Sequence, residues 1–397
     1  MRGSNVHRRE WCVSAVLYSY CMVHQAEHSY DFSSLGNPDH AVDALRQLGI
    51  DGAEPARVVR LDRGLPLVVS QQGTFRAEPS NALMKTMKTD TYARPAVGDW
   101  VALVHPDGHE NSVIEAILPR SSSFIRKDPG EDTTKQVILA NVDVVFVVTA
   151  LGEEPVNLAR LERKLVLAHE SGARPVIVLT KSDRCDDVDA ERQRVGAIAG
   201  DVPVVVTSAK MNEGVEQVRA LVPAQTTAAM IGSSGVGKST LINRLLGIER
   251  QATGAVRESD DKGRHVTVAR EIVTLPEGGI LVDTPGMRAM ALWRADEGMA
   301  RTYSEIDEAT QRCKFVDCTH QSEPHCGVKA ALESGEIDPE RFERYTKLQE
   351  ELAELDQKRE SKRWAATESR PHGRGSKAHQ IKKAQKNFQK YNRRNTR

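Results

Sequence analysis

Aromatic residues are scarce in this 397-residue sequence, at 5%, and no run of eighteen apolar residues occurs in it. The missing apolar run argues against a membrane-spanning helix, which needs about 20 such residues, so we expect no membrane partner. The low aromatic content argues against a nucleic-acid platform built on stacked rings along the whole chain. Any binding to nucleic acid should therefore depend mainly on charge and shape.

Cysteine is also uncommon, because only six occur in the whole chain. Three of them, Cys313, Cys318 and Cys326, fall within fourteen residues beside histidines. A disulfide scaffold would need a denser set of cysteines in a shorter chain. The cluster favours metal binding in a reducing compartment, and we expect a cytoplasmic protein.

The net charge is zero, with 55 basic and 55 acidic residues, but the charge is unevenly distributed. From Lys358 to Arg397 there are fourteen basic and two acidic residues, which leaves 41 basic and 53 acidic in the rest. A basic arm of this kind binds polyanions such as RNA. The alternative, a tail that only increases solubility, stays open.

Short β-like runs separated by turn residues begin at residue 56. They are Ala56–Leu61, Leu65–Ser70, Trp100–Val104 and Ser112–Leu118. This spacing predicts a small antiparallel barrel or sandwich. The stretch from Asn81 to Arg94 contains Lys85 and Lys88 but no apolar alternation, and we expect an exposed loop there.

The pattern changes at residue 141 to apolar strands that alternate with amphipathic stretches. The expected strands are Val142–Ala150, Pro175–Thr180 and Val202–Thr207, with helices starting near Leu158, Val188 and Gly214. This alternation predicts a parallel sheet with helices on both faces. Binding sites in such sheets lie at the carboxyl ends of the strands.

Residues 232–239 match the phosphate-binding pattern G-x-x-x-x-G-K-[ST], between an apolar run and a helical pattern. The backbone N–H groups of such a loop surround phosphate, the lysine reaches the β and γ phosphates, and the serine hydroxyl binds Mg²⁺. The predicted phosphate-binding residues are Gly232, Ser233, Ser234, Gly235, Val236, Gly237, Lys238, Ser239 and Thr240.

Two short motifs at consecutive predicted strand ends favour guanine as the base. Asp183, in Thr180-Lys181-Ser182-Asp183, can accept from both the N1–H and the exocyclic amine of guanine. Adenine would leave this carboxylate unpaired, a mismatch that discriminates strongly between bases. Ser208-Ala209-Lys210 would supply a backbone N–H to the guanine carbonyl oxygen.

Two further segments predict the magnesium and switch residues. Asp283-Thr-Pro-Gly286 follows an apolar strand, so Asp283 would hold Mg²⁺ through water and the Gly286 N–H would sense the γ-phosphate. Thr267 is the candidate threonine of the first switch. Met287 occupies a position where many GTPases have a water-orienting glutamine, and His265 is therefore the candidate catalytic group.

The order of these motifs is unusual, because the base motifs precede the phosphate loop. A conventional GTPase has them after it, so the domain is circularly permuted. With the preceding β-domain and the later cysteine cluster, the chain resembles the RsgA (YjeQ or EngC) family of ribosome-small-subunit-dependent GTPases. The resemblance covers roughly residues 55–356.

This resemblance implies a multidomain α/β protein. The implied segments are a leader or helical extension (1–54), an OB-like barrel (55–124), a circularly permuted GTPase domain (125–298), a zinc-binding helical domain (299–356) and a basic tail (357–397). It further implies GTP hydrolysis late in maturation of the small ribosomal subunit, with 16S rRNA and GTP or GDP as partners. We expect a monomer.

Three departures from the family pattern stand out. The family commonly has asparagine where this chain has Thr180, and further threonines where Val266 and Val268 flank Thr267. The first fifty residues have no counterpart that we can place. A disordered leader, or an over-extended start with Met22 as the initiator, explains them better than an export signal does.

A metal site is predicted from spacing, and the family resemblance selects its fourth ligand. Cys313-x4-Cys318-x-His320-x5-Cys326 can close a tetrahedral shell of three thiolates and one imidazole, which is typical of structural zinc. His325 is a competing ligand, but Cys318-x-His320 matches the family. We expect one zinc per chain.

Two rival functions remain at this stage. One is a GTPase that acts in signalling or on tRNA away from the ribosome. The other is an RNA-binding assembly chaperone that uses GTP only as a clamp. Nucleotide turnover with and without small subunits separates the three possibilities.

Overall fold

The computed structural model describes residues 30–61, 65–127, 135–247, 270–283 and 295–368. Within these ranges the chain forms thirteen strands and ten α-helices, beginning with helix α1 (Asp39–Leu48). None of the helices in these ranges combines the length and the apolar character that crossing a membrane requires. Most of the predicted leader and most of the basic tail lie outside the described residues.

Five strands close into a barrel in the first third of the chain. They are β1 (Glu54–Leu61), β2 (Leu67–Ser70), β3 (Gly73–Pro79), β4 (Trp100–Val104) and β5 (Ser112–Ile117). The pairing runs β1-β2-β3-β5-β4 and returns from β4 to β1. Its core contains Val58, Val68, Ala77, Val101, Leu103 and Ile114. The predicted barrel is confirmed, with β3 as a strand that the sequence patterns missed.

The stretch from Asn81 to Arg94 is not an open loop, and that expectation was wrong. Helix α2 (Asn81–Thr89) follows Ser80, whose hydroxyl accepts from the backbone N–H of Leu83 at 3.2 Å. Leu83 is buried and packs with the barrel core. The helix has nine residues and a single buried residue, so its sequence does not show the apolar periodicity by which a helix is predicted.

The second part of the chain is an α/β sheet that follows a hairpin of β6 (Ser123–Lys127) and β7 (Lys135–Ala140). Its strands are β8 (Val144–Ala150), β9 (Arg174–Thr180), β10 (Val204–Val206), β11 (Thr227–Ile231), β12 (Arg270–Thr274) and β13 (Ile280–Asp283). Neighbours in the order β10-β9-β8-β11-β13 are parallel, and β12 is antiparallel to β13.

Helices cover both faces of this sheet, as predicted. They are α3 (Leu158–Glu170), α4 (Val188–Ala199), α5 (Val215–Ala220) and α6 (Lys238–Leu245). Successive residues of β8 point to opposite faces. One apolar cluster holds Val145, Val147, Leu161 and Leu165, and the other holds Phe146, Val148, Leu241 and Leu245.

The barrel and the sheet are joined by strand pairing. β1 lies antiparallel to β12, with Arg60 opposite Glu271. The described strands of the two parts therefore form one sheet of eleven strands. Glu271 also accepts a hydrogen bond from the hydroxyl of Tyr30 at 2.7 Å, which fixes the segment before α1 to this junction.

A buried arginine reinforces the junction. Arg57 of β1 is 1% exposed, and its guanidinium donates to the carbonyl oxygens of Leu35, Gly98 and Asn141 and to the hydroxyl of Thr227. Burial lowers the pKa of Arg57 to about 10, which still leaves it charged at neutral pH. One side chain thus connects the segment before α1, the barrel and the start of β11.

Four helices form the last described part of the chain. They are α7 (Asp296–Thr302), α8 (Ser304–Gln311), α9 (Gly327–Ser334) and α10 (Pro339–Glu368). Helix α10 packs on α3 through Glu162, which is fully buried and accepts from Arg341 at 3.0 Å and Arg344 at 2.7 Å. Arg341 also donates to the carbonyl oxygen of Ile198 in α4 at 3.2 Å.

We expect Glu162→Gln to lower the free energy of unfolding by about 3 kcal/mol, because two guanidinium groups lose a buried counter-charge. Urea denaturation followed by circular dichroism measures the change. Glu343→Gln is the matched control, since Glu343 pairs with Lys347 on the exposed surface of α10. Equal effects of the two substitutions would contradict a special role for the buried cluster.

Candidate nucleotide site and metal centre

The phosphate and base motifs lie at one edge of the sheet. β9, β10, β11 and β13 run in the same direction, and each of them ends within two residues of a predicted motif. A backbone hydrogen bond joins the segments that follow β9 and β10, in which the N–H of Ser182 donates to the carbonyl of Thr207 at 3.2 Å. The fold therefore gathers side chains that are far apart in the chain.

The phosphate loop, residues 232–237, runs from the end of β11 to the start of α6. Gly235 and Gly237 have φ angles of 76° and 97°, a left-handed conformation that favours glycine. A Cβ at Gly232 would lie 2.5 Å from the carbonyl oxygen of Val148. The spacing of glycines in the motif is thus required by the backbone path.

Lys238 is the first residue of α6, and residues 239 and 240 follow in the same turn. Its ammonium donates to the carbonyl oxygens of Gly232 and Ser233 at 2.7 Å each. The charge consequently lies directly at the phosphate loop, whose residues 233–235 are exposed to solvent. This arrangement suits an anion, which also gains from the helix N-terminus.

Asp183 lies in a short 3-10 turn just past the end of β9. Its carboxylate accepts from the Ser208 hydroxyl at 2.6 Å, and the Lys210 ammonium is 3.8 Å away. The Ser208 hydrogen bond lowers the pKa of Asp183, with a smaller contribution from Lys210. Asp183 is therefore a charged acceptor held in a fixed orientation. Accepting hydrogen bonds from two donors of guanine requires such an orientation.

The loop after β10 is closed by its own backbone. The N–H of Ser208 donates to the carbonyl of Glu213 at 3.0 Å, and the reverse bond has the same length. The Ser208 hydroxyl also accepts from the N–H of Met211 at 3.2 Å. Ser208 therefore orients both the loop and Asp183, a double role that the motif alone did not predict.

Thr180 connects the base motif to the phosphate loop. It is 2% exposed, and its hydroxyl lies 2.5 Å from the carbonyl oxygen of Val236 and 3.3 Å from that of Thr149. A Cβ at Gly237 would lie 3.4 Å from the same hydroxyl oxygen. The threonine that replaces the expected asparagine thus holds the end of β9 against the loop.

An open cavity of about 600 Å³ lies beside the base motif. It is lined by Leu151, Gly152, Glu153, Glu154, Lys181 and Arg184. A cavity of several hundred Å³ is the usual size for a small-molecule site. The segment from residue 151 to 154 has no motif and was not predicted, but it directly follows β8, as binding segments do in parallel sheets.

The switch residues lie mostly beyond what the structure describes. His265, Thr267 and Gly286 are outside the described residues. Asp283 is the last residue of β13, where its backbone pairs with Glu271 of β12. These four assignments stay predictions from the sequence.

The predicted metal ligands come together between α8 and α9. The ligand atoms of Cys313, Cys318, His320 and Cys326 all lie within 4.8 Å of one another. The sulfur atoms of Cys313 and Cys326 are 3.9 Å apart, close to the ~3.8 Å edge of a tetrahedron with 2.3 Å Zn–S bonds. His325 is not in the cluster, so the structure favours His320 as the fourth ligand.

Comparison with known proteins identifies the family. A sequence profile described as RsgA GTPase matches residues 117–293. The small ribosomal subunit biogenesis GTPase RsgA of Opitutus terrae is 41% identical over 330 residues, which cover 81% of this chain and 89% of that protein. This chain belongs to the RsgA GTPase family.

Another RsgA relative extends the match further along the chain. Small ribosomal subunit biogenesis GTPase RsgA 1 of Oceanobacillus iheyensis is 38% identical over 349 residues, or 88% of this chain and 95% of that protein. A second profile, described as 50S ribosome-binding GTPase, matches residues 227–366. That match begins at β11, after the base motifs, and its description names a different subunit from that of the relatives.

Solved structures of the RsgA type share the fold. The crystal structure of YjeQ from Thermotoga maritima is 28% identical, with a TM-score of 0.57 over 76% of this chain and 99% of that chain. YloQ, described as a circularly permuted GTPase, has a TM-score of 0.56 over 77% and 96% at 24% identity. The permuted GTPase fold predicted from motif order is confirmed, and the family is one of GTP hydrolases.

We expect Thr180→Val to weaken binding of a fluorescent GDP analogue about 3- to 10-fold, since it leaves a phosphate-loop carbonyl without its donor. Valine keeps the shape of threonine but cannot donate. Thr180→Ser is the control that keeps the hydroxyl, and it should bind within about twofold of the wild type. Similar losses in both variants would show that the hydroxyl bond to Val236 is unimportant.

The metal centre is tested by elemental analysis of the purified chain, which should contain one zinc. We expect Cys318→Ser to lose the zinc and to increase proteolysis between residues 301 and 355, because coordination is coupled to folding. Cys185→Ser is the matched control, since Cys185 is a half-buried cysteine outside the cluster. Wild-type protein without metal, or equal zinc loss in the control, would contradict the assignment.

Proposed function

We propose that this chain binds the small ribosomal subunit late in its maturation and hydrolyses GTP to GDP and phosphate there, with stimulation by the subunit. The observation that supports this best is the joining of the phosphate loop to the Asp183–Ser208 pair through Thr180. An anion site and a guanine-reading carboxylate at one sheet edge suit GTP, and the named relatives act in biogenesis of the small subunit.

In this proposal the nucleotide is held from both ends. The phosphate loop and Lys238 would bind the phosphates, and Gly286 would sense the γ-phosphate. Lys181, Asp183 and the loop from Ser208 to Lys210 would bind the base. Mg²⁺ would neutralise charge on the β and γ phosphates.

The residues proposed to hold Mg²⁺, with Asp283 acting through water, come from three segments of the chain. Ser239 is the second residue of α6, after Lys238, and Asp283 ends strand β13. Thr267, from the first switch, would complete the set. Hydroxyl and carboxylate oxygens are the ligands that Mg²⁺ prefers.

The RNA contacts in this proposal are distributed over three parts. The barrel, the zinc-binding helices and the basic tail would bind 16S rRNA, the tail mainly through phosphate contacts. The Cys313, Cys318, His320 and Cys326 shell would be a closed structural zinc site, because no ligand position is left for water. We propose a cytoplasmic monomer, since a reducing compartment keeps these thiols available.

Hydrolysis needs a group to position water, and Met287 cannot do so. We propose that His265 takes this role when rRNA contacts the switch around Thr267. The isolated protein would then turn over slowly, because the productive geometry forms rarely without the subunit.

The test is GTP turnover by the wild type and His265→Ala, each with and without purified small subunits. We expect His265→Ala to keep GTP affinity but to lower the subunit-stimulated rate on the order of 10²-fold. A loss of this size is typical when a positioning or general-base group is removed. Lys238→Ala should be inactive in both conditions, because it lacks the phosphate-binding ammonium.

Each other outcome has a definite meaning. Equal stimulation of wild type and His265→Ala would remove His265 from the mechanism. Turnover that subunits do not change would favour a GTPase acting away from the ribosome. Subunit binding without any turnover would favour an assembly chaperone that uses GTP as a clamp.

A further inference from the structure

The base-reading loop, residues 208–213, is held by helix α6, which follows the phosphate loop, as well as by its own backbone hydrogen bonds. Arg244, near the C-terminal end of α6, donates from Nε to the carbonyl oxygen of Ala209 at 2.8 Å. Its side chain is half-buried between the loop and the helix. The contact spans 35 residues of sequence, and Arg244 itself belongs to neither the phosphate nor the base motif.

A second arginine, on helix α5, binds the end of α6 that carries Arg244. Arg219 of α5 donates to the carbonyl oxygens of Leu245 at 2.8 Å and of Arg244 at 3.2 Å. These carbonyls belong to the last turn of α6, where the regular α-helical N–H partners are missing. Glu216 pairs with Arg219 at 3.2 Å and holds its guanidinium in place. The end of α6 that carries Arg244 is therefore fixed to the element that follows the loop.

The Ala209 carbonyl is well placed to control base recognition. It belongs to the same planar peptide as the Lys210 N–H, so fixing one fixes the other. A hydrogen bond from a charged guanidinium also polarises that peptide and strengthens its N–H as a donor. The N–H groups of this loop are the ones that would meet the carbonyl oxygen of guanine.

We propose that Arg244 is a positioning residue for guanine recognition, holding the base-reading loop so that a backbone N–H meets the 6-carbonyl of the base. This inference rests on the proposed GTP site. Arg244 lies six residues beyond Lys238, about 9 Å along the helix axis. Its effect should therefore be specific to one edge of the base and should leave phosphate binding intact.

Three diphosphates separate the contacts to the base. GDP offers the 6-carbonyl and the 2-amino group, 6-thio-GDP replaces the carbonyl oxygen with a poorly accepting sulfur, and IDP lacks the 2-amino group that Asp183 would read. The experiment measures the Kd of each for the wild type, Arg244→Met and Arg244→Lys in the full chain. Arg192→Met, at an exposed position on α4, is the matched control.

We expect Arg244→Met to weaken GDP binding about 3- to 10-fold and to reduce the preference for GDP over 6-thio-GDP by a similar factor. The preference for GDP over IDP should stay unchanged, because Asp183 keeps its own support from Ser208. Arg244→Lys, which retains a cationic donor, should recover part of the lost preference. Arg192→Met should behave as the wild type does.

Two other results are distinguishable. If Arg244→Met weakens all three diphosphates equally, or none of them, Arg244 does not position the carbonyl contact and the inference is overturned while the GTP site stands. If the wild type itself does not prefer GDP over either analogue, the proposed base site falls and this inference falls with it.

Discussion

The parallel pairing of β8 with β9 on one side and β11 on the other is the constraint on which the candidate site depends. It places the end of the base-reading strand and the start of the phosphate loop on either side of one central strand. Spatial order, and not chain order, decides which strand ends meet. A circular permutation can therefore move the base motifs ahead of the phosphate loop and still produce the same arrangement of side chains.

Buried charges join the neighbouring parts of the chain to this sheet. Arg57 connects the barrel to the start of β11, and Glu162 with Arg341 connects α10 to α3. Removing one member of such a buried group is costly, because the remaining polar and charged partners lose hydrogen bonds that water cannot replace. The barrel and helices α7 to α10 thus have defined attachments to the GTPase sheet. β12, which pairs with the barrel, directly follows the segment that contains Thr267.

The sequence predicted the features that depend on local spacing. The phosphate loop, the strand that ends before Asp183 and the Cys313 to Cys326 cluster all lie where their motifs indicated. The missed features depend on long-range contacts or on weak local patterns. The Thr180 hydroxyl reaches Val236 across 56 residues, and the guanidinium of Arg57 reaches Thr227 across 170. Strand β3 was missed because, although Phe75 and Ala77 alternate with Arg76 and Glu78, it starts at a glycine, ends at a proline and has few residues that favour strands, and it is tertiary pairing in the barrel that holds it in place.

In the proposed function, nucleotide state at this end of the sheet controls binding to the small ribosomal subunit. Co-sedimentation of the full chain with purified small subunits tests it directly, in the presence of either a non-hydrolysable GTP analogue or GDP. We expect the chain to sediment with subunits in the GTP analogue and to be largely released in GDP. Equal sedimentation in both nucleotides, or none in either, would contradict it.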